Sequence, residues 1–338
     1  MIAPSPDNEQ GGRRINRDPP PHSAEDPLSS QSDKSQTSVP GWRVAAPASA
    51  PKAAIRRAAT AYVLLLPAAF FLAFLVIAVA YLIRFSLNGW NPDLGMYPSL
   101  TLANYGGFIS DPYFRGIFVK TLRLALEATL VALLLGYPYA YYFSSSRGAT
   151  RNALLLIVVV PLLIDVLVRA YGWLILLGDR GLINQSLMAT GLRTEPVQIL
   201  YTESSVVIEL LHEILPFMIL PMAAVLEKID PSLKEAGQSL GASKVQTFLR
   251  ITLPMSVPGI LAGTLLCFAL SASAFVAPLV LGGGKVMVMS LLIRTQMSVL
   301  LNWPLAAAES IILVALTLII LFFYVRASRM SLNWQQRA

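Results

Sequence analysis

Six long apolar runs separated by polar stretches fill the chain beyond residue 60. The first, residues 61–83, carries no charge. At about 1.5 Å per residue a helix of that length crosses roughly 30 Å of hydrocarbon. The others lie near 122–142, 153–177, 206–226, 255–280 and 305–325. Each predicts a transmembrane helix, so the expected fold is an all-α polytopic membrane protein with six spans. Residues 1–57 have another character. They are rich in Pro, Ser, Gly, Asp, Gln and Arg and show almost no apolar periodicity. Such a segment buries too little apolar surface to offset its ordering entropy, which predicts a disordered tail ahead of a membrane domain over 58–330. The first apolar run starts too late and runs too long for a secretory signal.

Composition agrees with the membrane reading. Charged residues make up 13% of the chain, against about 25% in soluble domains. Mean hydropathy is +0.60. A soluble enzyme needs more polar surface than this. The net charge of +7 suggests no nucleic-acid partner, because the basic residues recur between the apolar runs instead of forming one patch. The lone Cys267 excludes an intrachain disulfide and a cysteine metal site, and two histidines, His22 and His212, exclude a His-rich one. No metal or cofactor is expected. With the N-terminus in the cytoplasm, 17 of the 26 Lys and Arg fall on the inner side and 7 on the outer, so both termini are expected inside. Polar turn residues around Asn88–Asp93, with Trp90 and Tyr97, suit the outer interface, and 178–205 is expected to hold a short surface helix.

The most informative stretch is 230–254. Asp230 is a good N-cap and Pro231 suits the first helical position. Leu233, Ala236, Gly237 and Leu240 recur at helical spacing. Gly241 permits a sharp turn, and Ser243 with Gln246 fits a second capping box. Two short helices joined at a glycine are expected, with Pro254 opening the fifth span. A small apolar face outside the bilayer requires something to pack against, either its own bundle or another subunit.

Here the chain resembles a known family. Glu235-Ala236-Gly237, three residues, Gly241, nine residues, Ile251, one residue, Leu253-Pro254 is similar to the signature of the membrane subunits of ABC importers that use a binding protein. Gly237 departs from the family's alanine. The stretch 61–334 resembles the six-helix, type I importer form. Further runs look like the spermidine/putrescine group of these permeases, and like its first kind: Asn104-Tyr105 with Asp111-Pro112-Tyr113-Phe114, Val168 to Trp173, and Leu215 to Pro221. Relatives for aminophosphonates and ferric iron share much of this pattern. The resemblance implies a bacterial inner-membrane permease that pairs with a second, homologous permease. Two cytoplasmic ATPase subunits attach below, and a periplasmic binding protein docks above. It implies that Glu235, Ala236, Gly237, Leu240, Gly241, Ile251, Leu253 and Pro254 couple the chain to the ATPase. The chain itself is not expected to be an enzyme. Gly282-Gly283-Gly284-Lys285 lacks the spacing and the Ser/Thr of a phosphate-binding loop and reads as a turn.

Ionisable groups inside a bilayer are costly and normally face protein or water. The spans hold Glu127, Asp165, Glu209, Glu213 and Glu309 against Arg123 and Arg169. Arg123–Glu127 and Asp165–Arg169 are spaced for pairing within one helix. Glu209 and Glu213 have no basic partner on their own helix. Glu213, Asp165 and Glu209 are the candidate pathway carboxylates for a cationic solute, with Tyr171, Trp173 and Phe217 as candidate aromatic wall. Glu209, near the outer end of its span, could equally sit at the surface. An ion-coupled secondary transporter would also explain intramembrane carboxylates, but not the 235–254 pattern; a non-transporting assembly or anchoring protein, its tail binding cytoplasmic partners, would show no solute-dependent turnover and no ATPase partner.

Overall fold

The computed structural model describes residues 50–335. Helix α1 spans Ala50–Ser86 and leads into a hairpin of β1 (Gly89–Asn91) and β2 (Gly95–Tyr97), with Trp90 paired to Met96. Then follow α2 (Ala103–Ser110), α3 (Pro112–Ser145), α4 (Gly148–Leu163), α5 (Val166–Leu177), α6 (Leu182–Ala189) and α7 (Glu203–Leu226). The rest of the chain gives α8 (Pro231–Ser239), α9 (Lys244–Thr247), a π-helical turn (Phe248–Thr252), α10 (Leu253–Ser273), α11 (Val276–Leu281), α12 (Met289–Ser298) and α13 (Trp303–Gln335). Residues from Leu65 onward form one compact unit; of the unit Met1–Leu64, only the start of α1 is described. The tail expected over 1–57 overlaps α1 at 50–57, and 1–49 lie outside the described residues.

Four described helices are long and apolar enough to cross a membrane: Leu66–Ser86, Glu203–Leu226, Lys244–Ser273 and Trp303–Tyr324. A fifth crossing results if the bent pair Gly148–Leu163 and Val166–Ala189 counts as one. The expected span at 122–142 lies inside the 34-residue α3 and is not among them.

Two expected spans change shape. The run 153–177 is not one helix: its halves meet at 101°. Pro161 lacks the N–H for an intrahelical bond, Ile164 is extended, and Asp165 restarts the chain by accepting from the N–H groups of Leu167 (2.9 Å) and Val168 (3.4 Å). The run 255–280 begins earlier and breaks sooner. Helical backbone is continuous from Lys244 to Ser273, stops at the extended Ala274, and resumes as α11. Within it the Leu253 N–H reaches back five residues to the Phe248 carbonyl, just ahead of Pro254, which has no N–H to donate.

The core is α7 packed between α3 and α10. α3 turns a face of small residues inward (Ala125, Ala128, Ala132, Gly136, Ala140), and α7 fills the space with Leu210, Ile214, Met218 and Met222. Close approach of α10 depends on Gly259 and Gly263. A Cβ at Gly259 would lie 3.0 Å from the Met222 Cα; one at Gly263 would lie 3.0 Å from the Met218 carbonyl. Both obstacles are backbone and cannot rotate away. Gly263→Leu is therefore expected to cost at least about 1–3 kcal/mol. Thermal unfolding in detergent checks this, with Gly116→Leu as control, since a Cβ at Gly116 meets nothing within 4 Å.

The outer loops are tied to these helices. The Trp90 indole donates to the Leu301 carbonyl at 3.2 Å, and the Ser205 hydroxyl to the Leu281 carbonyl at 3.0 Å. Gly283 and Gly284, at φ +53° and +76°, form the expected glycine turn beside Tyr201. The surface helix expected in 178–205 is α6.

Candidate functional site

Glu209 and Glu213 lie one turn apart on α7, with Glu213 roughly 15 Å along a helix of 24 residues. Their cation comes from α5. Buried Arg169 donates from Nε to Glu209 Oε1 at 3.1 Å and places Nη2 3.5 Å from Glu213 Oε2. This corrects the within-helix Asp165–Arg169 pairing: Asp165 is exposed and spends its carboxylate on the N-cap of α5. It also corrects the surface position for Glu209, which is 0% exposed. Glu209 Oε2 has no hydrogen-bond partner among the described residues, while Glu213 keeps partial exposure.

His212 and Trp173 complete the cluster. The Trp173 indole donates to His212 Nδ1 at 3.0 Å, with the rings edge-on at 5.7 Å. With Nδ1 accepting, the neutral ring carries its proton on Nε2. Phe217, one turn beyond Glu213, is half-buried against the core. Tyr171 is 57% exposed and makes no hydrogen bond to the cluster. Of the candidate pathway residues, Glu209, Glu213 and Trp173 thus meet, while Asp165 and Tyr171 stand apart. Arg169 as hub and His212 as acceptor were not singled out. The signal for Arg169 was available, because two same-face carboxylates without a local cation require one from another helix.

A second ionic group lies at the start of α7, where Glu203 pairs with Arg123 and lies 3.7 Å from Lys120. Arg123 keeps the expected contact to Glu127 at 3.5 Å. Glu309 is fully buried on α13, and neither carboxylate oxygen has a hydrogen-bond partner among the described residues.

At the opposite end of α7 the 230–254 region forms as its local signals suggest. Asp230 accepts from the Ser232 N–H at 2.9 Å and Pro231 opens α8. That hydrogen bond holds the Asp230 carboxyl below the usual aspartate range. A lowered pKa adds stability above the ordinary aspartate pKa, and this is lost as pH falls through the folded value. Asp230→Ala is expected to fray the first turn of α8, read as faster amide exchange at Ser232 and Leu233; acid should produce the same fraying in the unmodified chain.

α8 ends with two reversed hydrogen bonds: Ala242 N–H to the Gly237 carbonyl (3.1 Å) and Gly241 N–H to the Gln238 carbonyl (2.9 Å). Gly241 sits at φ +87°, a glycine position. Ser243 and Gln246 then exchange the capping-box bonds at 2.9 and 3.2 Å. Phe248 lies edge-on between Tyr137 and Tyr141, at 5.8 and 5.6 Å, and fixes the region to α3. Lys234 Nζ stands 5.4 Å over the Tyr141 ring. Gly237 faces Ile251 of the π-helical turn, whose Cδ1 would be 2.8 Å from an added Cβ, so the Ile251 side chain fills the place of the missing methyl. Glu235, Ala236, Leu240, Gly241 and Pro254 are exposed; Ile251 and Leu253 are half-buried. Leu240 is 90% exposed, with Val245 and Leu249 also open to solvent.

The sequence model of a family described as "Binding-protein-dependent transport system inner membrane component" matches residues 128–330. The chain is 38% identical over 230 residues to the spermidine/putrescine transport system permease protein PotB of Escherichia coli (strain K12), covering 68% of this chain and 83% of that protein. To the permease protein of the same name from Haemophilus influenzae it is 36% identical over 256 residues, 76% of this chain and 87% of that one. The inner membrane ABC transporter permease protein YdcU of Escherichia coli (strain K12) is 31% identical over 247 residues, 69% and 78%. In fold, the chain is similar to a solved bacterial ABC transporter that imports alginate. The TM-score is 0.65 at 22% identity, over 82% of this chain and 98% of that one.

Proposed function

Because this chain belongs to the family of inner-membrane components of binding-protein-dependent transport systems, it is the permease subunit of an ABC importer, and we propose that its solute is a linear polyamine. The observation that carries the solute reading is the buried cluster of two carboxylates and one guanidinium. With Arg169 held by Glu209, Glu213 offers an incompletely paired carboxylate near mid-span, with Phe217 one turn beyond it on α7 and Trp173 against the neighbouring His212. An alkylammonium group needs a carboxylate and an aromatic face of this kind. Similarity to two spermidine/putrescine permeases supports the same choice.

As a transport component, the chain leaves ATP hydrolysis to a partner, and it is a multi-pass protein of the bacterial inner membrane. The complete assembly pairs it with a second, homologous permease and two ATPase subunits. Its six spans include α3 and the bent α4–α5 pair, and both termini are cytoplasmic. The exposed edge formed by Leu240, Val245 and Leu249, with Glu235 at its rim, is the surface that enters the ATPase. Ala236 and Gly237 keep α8 slim, Gly241 sets its exit angle, and Ile251, Leu253 and Pro254 join it to α10.

Gentle purification of the tagged chain from native membranes tests this. A stoichiometric ATPase and a second permease are expected, with ATP turnover raised by a binding protein loaded with spermidine or putrescine. Turnover raised only by a binding protein carrying an aminophosphonate or ferric ion would overturn the polyamine reading. Recovery without any ATPase, where a control importer stays whole, would overturn the assembly.

A further inference from the structure

A groove apart from the Arg169 cluster lies between the first two turns of α4 and the last two turns of α7. It encloses about 440 Å³. Its rim is Arg151, Asn152 and Glu227, flanked by the Phe143 ring; its floor is Leu155, Leu220 and Ala224. The order along the helices is the informative feature. α4 begins and α7 ends at this end of the bundle, so Arg151 and Glu227 lie at the mouth. Leu155 is one turn deeper on α4, and Leu220 two turns deeper on α7. Polar groups at the mouth and apolar groups toward mid-membrane repeat the order of a phospholipid.

We propose that this groove holds a phospholipid with a phosphoethanolamine headgroup. Arg151 Nη2 donates to Glu227 Oε1 at 2.8 Å, and its guanidinium lies 5.5 Å from the Phe143 centroid. Both partners are partly exposed, and an exposed pair of this kind is held weakly. A headgroup that brings a phosphate and a primary ammonium replaces the pair without leaving either charge alone. The guanidinium takes the phosphate through two parallel N–H bonds, and Glu227 takes the ammonium. Asn152 adds a donor at the phosphate. A choline headgroup cannot hydrogen-bond to Glu227, and a glycerol headgroup offers it only neutral hydroxyls, leaving its charge uncompensated beside a net anion. The acyl chain lies along Leu155, Leu220 and Ala224.

The test uses the full chain with its co-purified partners and needs no transport, so it stands or falls apart from the solute reading. The protein is placed in nanodiscs of equal phosphatidylethanolamine, phosphatidylcholine and phosphatidylglycerol. It is then stripped stepwise, and the retained lipids are identified by native mass spectrometry. Phosphatidylethanolamine is expected to be enriched about fivefold over each of the others, the scale of one ordinary net hydrogen bond at a partly exposed site. Glu227→Gln should erase that preference, and Arg151→Gln should lower retention of all three. Glycerophosphoethanolamine, the same headgroup without chains, should displace none of the retained lipid. Retention that follows the bulk composition in the unmodified protein, or displacement by the chainless headgroup, would overturn the assignment.

Discussion

Replacing Arg169 with alanine is expected to destabilise the membrane domain by about 3–5 kcal/mol. The reason is Glu209. Its side chain is fully buried, its Oε2 already lacks a partner among the described residues, and Arg169 supplies the bond to Oε1. Without the guanidinium, Glu209 and the adjoining Glu213 stand one turn apart with nothing to balance them. Removing the buried carboxylate as well should recover most of the loss, so Arg169→Ala combined with Glu209→Gln is expected to be more stable than Arg169→Ala alone. Unfolding midpoints in detergent, compared as a double-mutant cycle, measure the coupling directly. A purely additive pair would mean that the 3.1 Å contact carries no energy.

The second large effect is functional. Gly241→Val is expected to leave the membrane core folded yet lower binding-protein-stimulated ATP turnover at least about tenfold. At φ +87° a β-branched side chain clashes with its own backbone, and the strain of roughly 1–2 kcal/mol or more is relieved by turning the residue out of the left-handed region. That breaks the two bonds to the Gly237 and Gln238 carbonyls and swings α8 away from α9. An added Cβ at Gly241 meets nothing within 4 Å, so a crowding effect does not compete with this explanation. Unchanged turnover would remove α8 from the coupling surface.

The two regions differed in how far they could be read in advance. Around 230–254 every cue is local: an Asp-Pro start, a glycine exit, a Ser/Gln box three residues apart. Each bond joins residues at most six positions apart, so spacing alone predicts it. Around Arg169 the deciding contacts join residues 40 positions apart, and spacing is silent there. The same i,i+4 spacing that made Asp165–Arg169 look like a pair also fits an N-cap with the arginine turned elsewhere. Pro161 was the cue for the second alternative, since a proline followed by an N-capping residue marks a helix stop and restart. The burial of Glu209 follows from α5 folding back at 101°, a bend that hydropathy does not register. Likewise the glycine pair Gly259 and Gly263 on α10, four residues apart, says little by its spacing alone. Its meaning comes from the backbone of α7 lying 3.0 Å from where the side chains would begin.

The most direct test of the polyamine importer is uptake of labelled spermidine and putrescine into proteoliposomes holding the complete transporter, with ATP enclosed and the loaded binding protein outside. The expected result is ATP-dependent accumulation that requires the binding protein and falls at least about tenfold in Glu213→Gln, whose amide can no longer pair with an ammonium group. ATP-driven polyamine uptake indifferent to Glu213→Gln would remove Glu213 from the path but leave the importer standing; uptake that proceeds without ATP on an ion gradient, or no ATP-driven uptake of either polyamine, would contradict it.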